Sequence, residues 1–494
     1  MRFFVKNRRE PTPSSDEYPF VVLNNDNWDD YHFKTMFHPV IHAKPGLTVE
    51  LPEVKILKRD QGYGRTEISR VFDSLDNTYC SLGQELAYYE NLLMLEPNDR
   101  EQYLTALRDA ATDPTIRKDF ENEEGFKTSL LRWSSAEHAL EAAQSVLAGT
   151  EGENGEFTFT FYTTFGDNEI SAKFSYCEVQ GLPGRINTII GYNGTGKTQL
   201  LANLAQVAGA DSHHRDLPDW ITTYGRISPL ALRFGKVVAI SYSAFDTFAI
   251  PASPDSQKGF GYTYCGLRRV NDQNSSTGLK EVSEIAEEMA TAISRIKMLV
   301  RHSALERALR PLREEPSFAR AGCVLDVLAE DERWREEFNS LSSGHKISFN
   351  IIVQLVAALQ QRSLVLIDEP ESHLHPPLLA ALMKGITNAL EAHRSYAVIA
   401  THSPVVLQEI ASRYARVLSR NGSQNAFEEP EIETFGENIG LLTRHVFNLD
   451  NSQSDYVGVL RELASISSLE EIEGLFVRGL SSQARALIMQ AHRK

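Results

Sequence analysis

The sequence holds four cysteines in 494 residues, Cys80, Cys177, Cys265 and Cys323, and no Cys-x-x-Cys pair. That spacing excludes a disulfide framework and a cysteine-rich zinc module, and leaves reduced, mostly buried thiols. No apolar run approaches the length of a membrane span; the longest, Phe349–Leu359, is interrupted by polar residues. The start, Met1-Arg-Phe-Phe-Val-Lys-Asn-Arg-Arg-Glu10, lacks the apolar core and cleavage site of a secretory signal. A cytoplasmic protein without a membrane partner is the expectation. Basic residues are also in deficit, with a formal net charge of -16. A protein coated for nucleic acid usually presents a basic face, so any DNA contact must rest on a local patch or on a partner.

Strand-like and helix-like patterns alternate over most of the chain. Leu47–Leu51 followed by Val54–Leu57 reads as a hairpin, and helical periodicity appears over Leu82–Leu95 and Arg100–Ala111. The polar, glycine-rich stretch Gly149–Glu156 reads as a linker. Phe157–Tyr162 and Ile170–Tyr176 then alternate as two antiparallel strands. Short apolar runs at Arg185–Ile190, Val237–Ser241, Ser363–Ile367 and Tyr396–Ala400 read as buried strands, and 279–310 and 317–339 read as charged helices. Strands alternating with helices predict an α/β fold with a mainly parallel sheet covered on both faces. The expected division is an N-terminal α+β region (1–150), a nucleotide domain (151–450) with a helical subdomain near 270–345, and a helical tail (451–494).

Four motifs carry chemistry. Gly191-Tyr-Asn-Gly-Thr-Gly-Lys-Thr198 fits the phosphate-binding loop G-x-x-x-x-G-K-[ST], between a strand and a helix. In that pattern the backbone N–H groups of Asn193, Gly194, Thr195 and Gly196 wrap phosphates, Lys197 reaches the β/γ-phosphates and Thr198 ligates Mg²⁺. Leu364-Val-Leu-Ile-Asp368-Glu369 ends an apolar strand in two carboxylates: Asp368 for the Mg²⁺ shell and Glu369 for the attacking water. Ser342-Ser343-Gly344 opens a helical run, an arrangement that serves either as a plain N-cap or as a second anion site. His402, in Thr401-His-Ser-Pro404, follows another buried strand and is a candidate donor to the γ-phosphate.

The order of these motifs closely resembles that of ABC ATPases: phosphate loop, small-residue signature, Walker B, switch histidine. The resemblance implies a P-loop NTPase of ABC type with antiparallel β and helical signature subdomains, using ATP and Mg²⁺. It also implies a head-to-tail pair in which Ser342, Ser343 and Gly344 of one copy complete the site of the other. Ile367-Asp-Glu-Pro-Glu-Ser-His-Leu-His-Pro376 is similar to the form found in RecF-like and OLD-like prokaryotic ATPases. Tyr242–Asp246, Gly261–Arg268 and Thr434–Gly440 resemble pieces of defence ATPases, the Septu (PtuA) family among them. That likeness implies an ATPase switch working with a separate nuclease such as an HNH protein; a RecF-like DNA-repair clamp is the alternative. The clamp would draw on Arg268, Arg269, Arg295, Lys297, Arg301, Arg307, Arg310 and Arg313 for a basic lining, but the overall acidity favours reading them as a solvated helix face.

Some departures matter. No glutamine stands at the Q-loop position after Ile240, so Ser241–Asp246 must supply that function. Roughly 140 residues separate phosphate loop and signature, too few for a long coiled-coil arm. His373 and His375 lie in the loop after Walker B; with nearby acids they suggest a metal site, but the further ligands are missing and no metal site is expected there. No acidic cluster of the Toprim kind and no HNH-like set is visible in the chain; the nearest acids, Asp450 and Asp455, read better as a solvated helix cap.

Overall fold

A computed structural model describes the chain except residues 8, 150–155, 166–167, 178, 180, 245, 251–261, 271–276, 321–325, 330–332, 422–423, 447–454 and 493–494. Most of the expected linker at 149–156, together with Phe245, Gly261, Cys323 and Asp450, lies outside the described residues.

The N-terminal residues build a seven-stranded sheet. Its path runs Val71–Phe72, Arg2–Asn7, Phe20–Asn25, Met36–Lys44, Val54–Lys58, Tyr79–Gly83, with Leu47–Glu50 also paired to Met36–Lys44. The expected hairpin of 47–51 with 54–57 does not form. Both segments instead lie antiparallel to the same long strand, Ile41 opposite Val49 and Phe37 opposite Val54. Pro52 breaks what would be one strand, because proline has no N–H to give the ladder. Helices Leu86–Leu92, Pro97–Leu107 and Ser134–Leu147 share a core with the sheet through Ile41, Ile56, Leu82, Tyr89, Tyr103 and Leu140. The helical reading began too early there, since Leu82 belongs to strand Tyr79–Gly83.

The second large sheet runs in the order Tyr262–Gly266, Val237–Ser241, Leu364–Asp368, Tyr396–Thr401, Ile186–Ile190, Ala415–Asn421, Gln424–Glu428. All neighbours are parallel except the last pair. Strands 186–190, 237–241 and 364–368 are buried at every residue, as expected of parallel strands covered on both faces. One face carries helix Lys197–Gly209 and the antiparallel strands Phe157–Phe165 and Asn168–Tyr176, joined by Arg226–Ser228. The other carries Val282–Met298, His302–Glu314, Ser343–Ala358 and Pro376–Ala392. This is the α/β fold of an ABC-type P-loop ATPase, with an N-terminal α+β extension.

Two helical expectations need correction. Residue 279 ends a short strand, Thr277–Leu279, paired with Arg268–Val270, and the helix begins at Val282. The stretch expected as a helix over 317–339 contains the described helices Pro316–Arg320 and Arg333–Ser340, with a turn at 327–328. The tail forms helices Asp455–Ile466, Leu469–Gly474 and Ser482–Ala491 around a small core of Leu460, Ala464, Ile472 and Ile488.

The N-terminal sheet docks against the second sheet at the start of its parallel strands. Glu85 pairs with Lys236 at 3.0 Å, just ahead of strand 237–241, and with Arg295. The Gln360 side chain, ahead of strand 364–368, accepts from Leu86 N–H at 3.3 Å. Burial would raise the Glu85 carboxyl, but Arg295 and Lys236 hold it down at about 2. The opposite, carboxyl end of those strands carries the site.

Candidate functional site

The phosphate loop follows strand Ile186–Ile190 and runs into helix Lys197–Gly209. Its glycines are used for two reasons. Gly194 and Gly196 have φ of +81° and +99°, a region costly for residues with a Cβ. Gly191 has no such dihedral, but a Cβ there would meet Leu418 O at 2.3 Å. Thr195 closes the turn through Oγ1 to Tyr192 O at 2.8 Å, while Asn193 and Gly194 stay exposed. The buried Lys197 ammonium donates to Gly191 O (2.8 Å) and Tyr192 O (3.2 Å). Burial lowers its pKa, opposed by the nearby carboxylates of Glu369, Asp368 and Glu371.

Strand Leu364–Asp368 delivers the acids to this loop. Thr198 Oγ1 donates to Asp368 Oδ2 at 2.8 Å, so residues 170 positions apart share one point. Asp368 Oδ1 is buried with no partner. Burial pushes the Asp368 carboxyl up to about 7, the Thr198 bond lowers it, and Glu369 and Asp246 add to the rise. A buried carboxylate beside a threonine hydroxyl, with an orphaned oxygen, is a donor set that suits Mg²⁺. Glu369 turns away from the strand with φ +48°, its N–H on Ala400 O at 2.8 Å.

His402 meets these acids from the neighbouring strand. Its Nδ1 lies 3.5 Å from Glu369 Oε1 and 3.2 Å from Glu371 Oε1. Glu371 is the residue that the sequence reading missed. Its Oε1 accepts from Thr401 Oγ1 at 2.7 Å and from His402 N–H at 2.8 Å, which ties the histidine's backbone to the loop after Walker B. The signal was present, since Glu371 is the second glutamate of Asp-Glu-Pro-Glu, but its partners come from another strand.

In the stretch expected to replace the Q-loop glutamine, Ser241–Asp246, the acid is held within its own loop. Asp246, the only acid in Ser241–Asp246, is buried and already engaged by Tyr264 OH (2.8 Å), Phe248 N–H (3.1 Å) and Arg268 (3.3 Å). These bonds brace the loop, and the Asp246 charge also helps to raise the Asp368 carboxyl. Tyr242 OH accepts from Asn350 Nδ2 at 2.6 Å, joining the same loop to the signature helix.

The signature does not join the phosphate loop within one chain. Ser342 caps helix Ser343–Ala358, with Oγ 3.0 Å from His345 Nδ1, and Ser343 is exposed. Gly344 is buried against the loop after Walker B, where a Cβ would stand 2.9 Å from His373 O. Among the described residues no hydrogen bond links Ser342, Ser343 or Gly344 to residues 191–198.

Over 473 residues the chain is 31% identical to protein ea59 of Escherichia phage lambda, covering 90% of this chain and 89% of that protein. The chain belongs to the ea59 family. Within it, residues 279–408 match a family described as "AAA domain, putative AbiEii toxin, Type IV TA system". Similar solved structures include an ATP-binding cassette of an ABC transporter in its ADP conformation (13% identity, TM-score 0.29, 57% of this chain and 93% of that one). Another is an SMC head bound to the C-winged helix domain of ScpA (14% identity, TM-score 0.27, 55% and 96%). Among the described residues of this ea59 relative, no helix is long and apolar enough to cross a membrane.

Proposed function

We propose that the chain binds ATP with Mg²⁺, closes as a head-to-tail pair around it, and hydrolyses it to control a separate effector. The observation that carries this reading is the junction of Thr198 Oγ1 and Asp368 Oδ2 at 2.8 Å, beside Lys197 and beneath Glu369 and His402. In it, Asn193, Gly194, Thr195, Gly196 and Lys197 hold the phosphates, and Thr198 and Asp368 hold Mg²⁺. Glu369 orients the attacking water, and His402 senses the γ-phosphate. Phosphates that bridge the loop of one copy to Ser342, Ser343 and Gly344 of the other favour the closed pair, and hydrolysis removes that preference.

A nuclease effector in phage–host conflict is the setting we favour, on the Septu-like motifs. The ea59 relative is a phage protein, and the matched family's description names a toxin of a toxin–antitoxin system. A RecF-like DNA clamp receives less support. Five of the eight residues offered as its basic lining, Arg268, Arg269, Arg295, Arg301 and Arg313, each face an acid: Asp246, Glu284, Glu85, Glu90 and Glu306.

The test is Glu369→Gln. The variant should keep ATP affinity, lose turnover and accumulate as a nucleotide-bound dimer in light scattering. Near-normal phosphate release would refute the role given to Glu369. Plasmid and phage DNA incubated with the pure wild-type chain, Mg²⁺ and ATP should remain intact; cleavage would show a catalytic centre of its own.

A further inference from the structure

Behind the signature, three segments remote in sequence converge. Glu315 follows helix His302–Glu314, His345 lies in the first turn of Ser343–Ala358, and His375 caps Pro376–Ala392. One ligand atom from each lies within 4.8 Å of the other two. The Ser317 hydroxyl stands where they meet, 2.9 Å from His345 Nε2 and 3.1 Å from His375 Nε2, and it bonds the Glu315 carboxylate.

We propose that Glu315, His345 and His375 form a binding site for a divalent transition metal of the zinc class. Two imidazoles and one carboxylate are a borderline donor set, which suits zinc and its neighbours and not the oxygen-preferring Mg²⁺ or Ca²⁺. Two of the ligands are already oriented from behind, as metal ligands usually are. Glu315 accepts from the N–H groups of Ser317 (2.8 Å) and Phe318 (3.0 Å). His345 is fixed by Ser342 Oγ at Nδ1 and by the edge-on ring of Phe318, 5.1 Å between centroids. Tetrahedral coordination at ordinary bond lengths places donors about 3.3 Å apart, so the cluster must contract. The exposed His375 makes that movement and gives up the long bond, 3.3 Å, that its Nδ1 accepts from Leu378 N–H.

The metal has a consequence at the signature. A metal on His345 Nε2 leaves the ring proton on Nδ1, where it donates to Ser342 Oγ. The Ser342 hydroxyl then has its own proton free to point outward. On the reading that Ser342 meets the partner's nucleotide, the metal sets the signature in its phosphate-binding form; this coupling, unlike the site itself, rests on the proposed ATPase.

The test needs no nucleotide. Full-length protein stripped with chelator is titrated with Zn²⁺ against a chromophoric competitor, and with Co²⁺ by visible absorption. We expect one ion per chain, a Co²⁺ band of four-coordinate type, and at least a tenfold loss of affinity in His345→Gln and in His375→Gln. The exposed His373, close in sequence but outside the cluster, serves as control: His373→Gln should bind as wild type. His375→Gln alters an exposed side chain, so the test does not depend on a buried substitution being tolerated. No saturable binding by the wild type, or equal binding in the His345 and His375 variants, overturns the site.

Discussion

Replacing Glu371 by alanine tests whether the switch histidine is placed by its neighbour's carboxylate. The side chain is mostly buried and its Oε1 accepts from Thr401 Oγ1 (2.7 Å) and His402 N–H (2.8 Å). Hydrogen bonds to an ionised group contribute about 1.5–3 kcal/mol each, so removing both releases about 3 kcal/mol of local order around His402. If all of that order is needed in the transition state, the rate falls about 100-fold. Glu371→Gln keeps an oxygen acceptor in place without its charge, so about a tenfold loss is expected. The assay is phosphate release at saturating Mg²⁺-ATP, with the KM for ATP measured alongside. KM should change little, because among the described residues no hydrogen bond links Glu371 to Lys197 or the phosphate loop. Alanine-variant turnover within twofold of wild type, or a glutamine variant no better than alanine, would refute the positioning role.

Lys197→Ala removes the buried ammonium of the phosphate loop and should weaken ATP binding at least tenfold by calorimetry; unchanged affinity contradicts its role. Ser342→Arg, at an exposed position, should leave ATP binding by the monomer intact and abolish ATP-dependent pairing, at about 1 kcal/mol for the lost cap. ATP-dependent dimers of this variant in light scattering would count against a signature acting in trans. Asp368→Asn should stabilise the metal-free protein as pH rises. The carboxyl titrates at about 7 when folded against 3.8 when free, so the folded state binds the extra proton between those values. Wild-type stability is therefore lost as pH rises through that window, and the cost of ionising Asp368 grows from about 2 kcal/mol at pH 5 to about 4 kcal/mol at pH 8. Melting in chelator should show the variant's advantage widening by a few degrees between those pH values; a constant difference would refute the shift.

Much of the site could be read from the sequence because its parts are local. A phosphate loop is a single strand–turn–helix junction, so Gly191–Thr198 specifies its own backbone. Asp368 and Glu369 are likewise placed by the strand that precedes them, and the buried parallel strands announce themselves as continuous apolar runs. Local reading failed where the deciding neighbour was distant. The segments around Pro52 looked like a hairpin because an alternating run, Leu47–Leu51, is followed at once by a second strand-like run, and only pairing to Met36–Lys44 shows them to be one interrupted run. Tertiary packing set Thr198 on Asp368, bound Glu371 to Thr401 and His402, and withdrew Asp246 into the grip of Tyr264 and Arg268. It also paired Arg268, Arg269 and Arg295 with acids, and it joined His375 to Glu315 and His345 instead of to its sequence neighbour His373. The physical reason is common to these cases. Backbone conformation follows from residues a few positions apart, whereas the partner of a side chain depends on which element the core packs beside it.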